Sequence, residues 1–217
     1  MKPTTRTLAL NFASILLLSV SLQASAGEEE DGGFWSEDLG TFSYTYLQAG
    51  YGYGDVTGSE EADFIDAKIS IAIGDNYYLR GDFADWDNTA ANTTATDIGV
   101  SFGVHGSLNE SLDYILDLGY STQEFTSAGS GLDSDGPQAG FGVRGVSPEE
   151  AVEGELRYTH RWLTPEVGSS VDEGNIHFEM MWRTFDNVGL YVGGHWPMDN
   201  NSNDTVGSYS VGLRVSL

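Results

Sequence analysis

The sequence has no cysteine, which excludes disulfides and thiolate metal sites. Cations are nearly as scarce: nine Lys and Arg stand against 33 Asp and Glu, a formal charge of −24 over 217 residues. A chain this acidic does not bind nucleic acid through phosphate contacts. Prolines number only five. What is plentiful is glycine, at 28 residues, and aromatics, at 12%. That balance points to many short strands rather than to helices or disorder. The length suits one domain.

The first segment reads as an address. Lys2 and Arg6 give a positive start, and Leu8 to Leu22 is largely apolar. Asn11, Ser14, Ser19 and Ser21 break that stretch, which argues against a retained membrane anchor. Ala24-Ser25-Ala26 fits the small-x-small cleavage rule, so residues 1–26 are expected to be a secretory signal peptide. Residues 27–40 carry Glu28, Glu29, Glu30, Asp31, Glu37 and Asp38 and are read as an acidic, flexible N-terminal arm. Residues 41–217 form the single domain.

Apolar residues alternate with polar or small ones along that domain. Ile65, Ala67, Ile69, Ile71 and Ile73 interleave with Asp66, Lys68, Ser70 and Ala72. Leu112, Tyr114, Leu116, Leu118 and Tyr120 interleave with Asp113, Ile115, Asp117, Gly119 and Ser121. Period two marks strands with one face in an apolar environment. Ten segments follow the pattern, at 41–53, 63–74, 76–87, 96–106, 111–124, 137–147, 150–162, 174–184, 187–197 and 206–217. Connections after the even strands are short. Those after the odd strands, such as 88–95, 125–137 and 197–205, are longer and polar. Short turns at one end and longer loops at the other are the pattern of outer-membrane barrels.

A β-sandwich also alternates, but three features favour lipid. Each strand has about five same-face apolar or small residues, enough at ~3.3 Å per residue to cross an apolar band when tilted. Aromatics gather at strand ends, with Tyr51, Tyr53, Tyr120, Tyr158, Trp162, Trp196 and Tyr209 at one level and Tyr77, Tyr114 and Trp182 at the other, as in two interfacial girdles. The seven cations after the leader are Lys68, Arg80, Arg144, Arg157, Arg161, Arg183 and Arg214. All fall on the polar face of a strand, and none in a loop. Asp66, Asp82, Asp113, Asp117, Glu153, Glu155 and Glu179 share that face. A narrow lumen holding these charges must pair them, because unpaired buried charge is costly. The expected fold is all-β: a closed antiparallel up-and-down transmembrane β-barrel of ten strands, with eight as the alternative.

The leader, the alternating hairpins and the C-terminal strand resemble the small bacterial outer-membrane barrels, the group with OmpA-like and OmpX-like transmembrane domains. The resemblance is architectural, covers residues 41–217 and rests on no residue motif. In that family the last strand usually ends in Phe or Trp, whereas this one ends in Leu217. It implies an outer-membrane location after export, lipid and lipopolysaccharide as surroundings, and the barrel-assembly machinery as a partner during biogenesis.

Candidate chemistry is sparse, and no cofactor motif is present. If Thr184 pairs with Val188, then His177 pairs with His195 on the polar face, with Glu179 two residues away. These three could hold a divalent metal; a hydrogen-bond network in the lumen is the plainer reading. Asp82, Asp85, His177 and His195 lie near one rim, as in an OmpT-like surface protease, but the strands look too short to raise a wall round a substrate. His160 faces lipid as in a PagL-like deacylase, but Trp162 stands where that motif needs Ser. Inner-face glycines, among them Gly50, Gly99, Gly103, Gly140 and Gly193, leave room either for a narrow pore or for large inward side chains. Acidic loops could hold divalent cations weakly. The primary expectation is a non-catalytic barrel with a charge-filled narrow lumen and a structural or surface-interaction role. A narrow channel for water or small ions is the alternative, and a rim protease or lipid A-modifying enzyme the second.

Overall fold

Ten strands follow one another by simple hairpins. A computed structural model describes residues 42–55, 61–89, 91–127, 129–147, 151–185, 187–198 and 207–217, with Asp55 and Glu61 as backbone only. The expected signal peptide and acidic arm lie outside the described residues. The strands are β1 (Tyr46–Asp55), β2 (Glu61–Ile73), β3 (Tyr77–Asn88), β4 (Thr93–Asn109), β5 (Leu112–Ser127), β6 (Ser130–Val146), β7 (Val152–Pro165), β8 (Val171–Phe185), β9 (Val188–Pro197) and β10 (Ser208–Ser216). Each pairs antiparallel with its neighbours, and β1 pairs with β10, so the sheet closes into a barrel.

Closure settles which face meets which environment. Ile65, Leu79, Val100, Phe102, Leu116, Leu118, Phe141, Leu156, Leu190, Val211 and Leu213 point outward and are exposed, forming an apolar belt round the barrel. An exposed apolar surface of that extent fits lipid and not water. The buried polar set lies inside: Gln48, Arg80, Asp113, Asp117, Arg144, Glu153, Glu155, Arg157, Glu179 and Arg214. A water-soluble sandwich would have the two sets exchanged.

The largest differences from the expected boundaries lie at two places. Residues 125–137 are not a long loop, because β5 and β6 pair as far as Ser127 and Ser130. The outward residues beyond Tyr120 become Thr122, Glu124 and Thr126, so the apolar alternation stops while the strand goes on. The hairpin therefore rises past the belt, and the strands are longer than the periodicity implies. At the start, Phe42 to Thr45 are not part of the first strand. All four are buried. They lie inside the barrel at the end that carries the short turns.

That turn end holds the connections 74–76, 110–111, 147–151 and 186–187. Gly74 has φ 61° in the first of them, a left-handed conformation that favours glycine. The strand ends opposite form the loop end.

Candidate functional site

The lumen is built in three levels. At the turn end, Phe42 to Thr45 meet Arg144 of β6. Its guanidinium carbon lies 5.3, 5.1 and 5.7 Å from the ring centroids of Phe42, Tyr44 and Tyr46. Arg144 Nη1 donates to the Ser43 carbonyl at 2.9 Å, and Nη2 meets Glu153 at 2.5 Å. The Tyr44 hydroxyl donates to Asp113 at 2.9 Å, and its ring stacks on His105 with centroids 3.5 Å apart. The Thr45 hydroxyl oxygen accepts the Ala72 amide at 3.0 Å. Phe42, Tyr44, Tyr78 and Ile115 form the apolar cluster of this end. Its one segment thus satisfies an arginine, an aspartate and a strand amide.

The middle level is a mesh of ion pairs. Glu153 also takes Arg183 at 2.5 Å. Glu179 takes Lys68 at 3.0 Å, the Gln48 amide at 2.7 Å and Arg214. Arg214 Nε donates to Gln48 at 2.8 Å, and its guanidinium lies 4.2 Å from the Tyr46 centroid. Arg80 forks onto Asp82 at 2.7 to 2.9 Å. Arg157 reaches Asp117 at 2.9 Å. Glu155 lies 3.1 Å from Arg157 Nε and 3.7 Å from Arg80 Nη1. The Tyr191 hydroxyl donates to Asp66 at 2.8 Å. Each buried charge needs these contacts, since the attraction must offset the loss of water.

The third level lies toward the loop end. Arg161 of β7 crosses to Asp97 of β4 at 2.9 Å and holds Glu173 of β8 at 2.5 Å. Below it is a cavity of about 220 Å³, whose lining includes Phe64, Asp66, Trp86, Ser121, His177 and His195.

The structure places the thirteen expected lumen residues, Asp66, Lys68, Arg80, Asp82, Asp113, Asp117, Arg144, Glu153, Glu155, Arg157, Glu179, Arg183 and Arg214, on the inner face. The expected girdle residues point outward. Tyr158 and Trp162 flank His160 there, with Tyr158 Oη 3.0 Å from His160 Nδ1.

His177 and His195 do pair across β8 and β9, although Thr184 is skipped by a bulge between Arg183 and Phe185. Their rings stack with centroids 4.6 Å apart and planes 6° apart. The metal site expected from His177, Glu179 and His195 is not assembled. Glu179 is turned to Lys68, Gln48 and Arg214, and His195 Nε2 lies 2.8 Å from Asn175 Oδ1. Among the described residues no group of three His, Asp or Glu is placed to hold a metal ion. The rim quartet is also divided: Asp85 faces outward, where it accepts from Thr96 at 2.8 Å.

The sequence reading missed Tyr44, Tyr46, Gln48, Tyr78 and Tyr191. One signal was available for two of them. Tyr78 is opposed by Gly103 and Tyr191 by Gly212 across their strand pairs. A Cβ at Gly103 would overlap the hydroxyl end of the Tyr78 ring.

The barrel is similar to solved structures. The outer membrane protease OmpT from Escherichia coli superposes with a TM-score of 0.52 at 11% identity, over 81% of this chain and 95% of that one. This chain has the fold of the outer-membrane β-barrels. Neisserial surface protein A matches with a TM-score of 0.41 at 14% identity, over 81% and 98% of the two chains. Ail, the attachment invasion locus protein of Yersinia pestis, matches with a TM-score of 0.36 at 12% identity, over 80% and 97%. Neither a family model nor a curated protein matches the sequence. At such identities the likeness concerns the barrel and carries no residue role with it.

Proposed function

We propose that the protein is an integral barrel of a bacterial outer membrane, exported by its leader, with a closed lumen and a structural or surface-interaction role. The observation that carries this reading is the double closure of the lumen. Phe42 to Thr45 fill the turn end, and paired charges from Lys68 to Arg214 fill the middle. A barrel of this strand number sits between those filled by side chains and those that leave a channel. Here the inner glycines are taken up: a Cβ at Gly140, for instance, would meet Asp117 at 2.7 Å. In this reading the turn end faces the periplasm, and the loop end, with its tall β5–β6 hairpin, faces outward. Lipopolysaccharide surrounds the belt, weakly bound divalent cations sit on the outer carboxylates, and the barrel-assembly machinery inserts the chain. Planar-bilayer recording of the refolded protein tests the central claim. A silent bilayer with inserted protein is expected, whereas reproducible unitary steps would replace this reading with that of a narrow channel.

A further inference from the structure

Four rows of outward side chains on β7 and β8 follow the barrel out of its apolar belt. Leu156 pairs with Phe178, Tyr158 with Ile176, His160 with Gly174 and Trp162 with Asp172. Successive rows stand about 6.6–6.8 Å apart along the strands. The first two rows are apolar or aromatic. The third brings an imidazole, and the fourth a carboxylate beside an indole.

His160 is unusual in its direction. Every other base among the described residues turns inward. Lys68 and the six arginines join the inner carboxylates, His105 stacks on Tyr44, and His177 and His195 stack on each other. Elsewhere toward the loop end the outward charges are acidic. Asp63 stands opposite Asp87 across β2 and β3, and Asp85 lies in the next row. Those positions repel a phosphate, and β7 carries the one outward base. The Tyr158 hydroxyl, 3.0 Å from Nδ1, holds the imidazole. With the phenol donating to Nδ1, the ring proton is on Nε2, which has no hydrogen-bond partner among the described residues. Opposite His160 stand Ala139 on β6 and Gly174 on β8, so neither flanking strand brings a long side chain to its row.

We propose that this face holds one phospholipid with an ammonium-bearing headgroup. Its acyl chains lie over the Leu156 and Tyr158 rows, its phosphate at His160, and its ammonium between Trp162 and Asp172. The order of the rows is the order of these parts in such a lipid, counted from the hydrocarbon outward. His160 donates to an anionic oxygen, a charge-assisted hydrogen bond. Trp162 is 43% exposed and offers its ring face to a cation, with the Asp172 carboxylate across from it. The His160 and Trp162 ring centroids are 4.5 Å apart, within the span of one headgroup. Asp135 of β6, opposite Thr164 one row further out, adds negative charge where the ammonium sits. The inference rests on the membrane-embedded reading of the barrel and adds to it a choice of lipid.

Native mass spectrometry of the full folded chain tests it, with an equimolar mixture of phosphatidylethanolamine, phosphatidylglycerol and diacylglycerol of matched chains. The first carries phosphate and ammonium, the second phosphate without ammonium, and the third neither. Retention is expected to fall in that order, by about two- to fivefold at the first step and about tenfold at the second. His160→Phe keeps a flat ring and removes the donor, and should bring phosphatidylglycerol down to diacylglycerol. Asp172→Asn should reduce phosphatidylethanolamine and leave phosphatidylglycerol no weaker. Asp85→Asn, an outward acid of β3, should change none of the three. Circular dichroism verifies the barrel in each variant. Equal retention of the three lipids, or unchanged phosphatidylglycerol retention in His160→Phe, would overturn the proposal while leaving the lipid-facing belt in place. Retention of none of them would overturn both.

Discussion

Arg157 on β7 reaches past β6 and closes on Asp117 of β5 at 2.9 Å. Lys68 of β2 meets Glu179 of β8, and Arg161 of β7 meets Asp97 of β4, in the same manner. The sheet's own hydrogen bonds link each strand only to its neighbours. These side chains tie together strands that are not paired in the sheet.

Asp117→Asn should therefore be severe. It removes the carboxylate charge that Arg157 Nη1 meets and leaves Glu155 as the one anion beside that guanidinium, a loss approaching the ~3–5 kcal/mol of a broken buried pair. Urea unfolding from lipid vesicles measures it. The double variant Asp117→Leu with Arg157→Met should recover most of the stability, because the uncompensated charge is gone as well.

The Tyr44 hydroxyl bond to Asp113 can be isolated by Tyr44→Phe, which keeps the ring on His105 and Arg144. A hydrogen bond to a charged group contributes about 1.5–3 kcal/mol. The same unfolding measurement should show that loss, and Asp113→Asn added to it should cost less than it does alone.

Glycine at position 103 is required by the Tyr78 ring, which fills the space its Cβ would take. Gly103→Ala should destabilise by about 1–3 kcal/mol through overpacking. Gly145→Ala is the control, since its nearest neighbour would be an ordinary contact at 3.5 Å from Leu112. Comparable effects at the two positions would contradict the filled-lumen account.

The upper edge of the apolar belt lies near Tyr120. Leu118 points outward at 70% exposure, and Thr126 lies in the polar extension of the same strand. Leu118→Arg should cost about 2–4 kcal/mol in vesicles, and Thr126→Arg no more than about 1. Equal costs would mean that the hairpin does not rise out of the bilayer.

The barrel and its two faces were legible because alternation reports the contrast between lipid and lumen at every strand. The edges were not legible where that contrast fades. Beyond Tyr120 both faces meet polar surroundings, so β5 and β6 ran on unseen. Phe42 and Tyr44 alternate with Ser43 and Thr45 like a strand, yet all four lie within the lumen, where alternation has no meaning. The ion-pair partners were hidden for a different reason. Period two tells which side chains enter the lumen, and not which strand they will meet across it. Asp117 could have met any inward cation, and the closed geometry selected Arg157.

Every Lys and Arg after Arg6 sits inside the barrel, and the connections at both ends contain neither residue type. Trypsin cuts only after these two. The folded domain therefore offers the protease no accessible site from Phe42 to its last strand, while the unfolded chain offers seven. Digestion becomes a direct count of folded molecules, and Lys68, the only lysine beyond the second residue, has its amine turned inward onto Glu179.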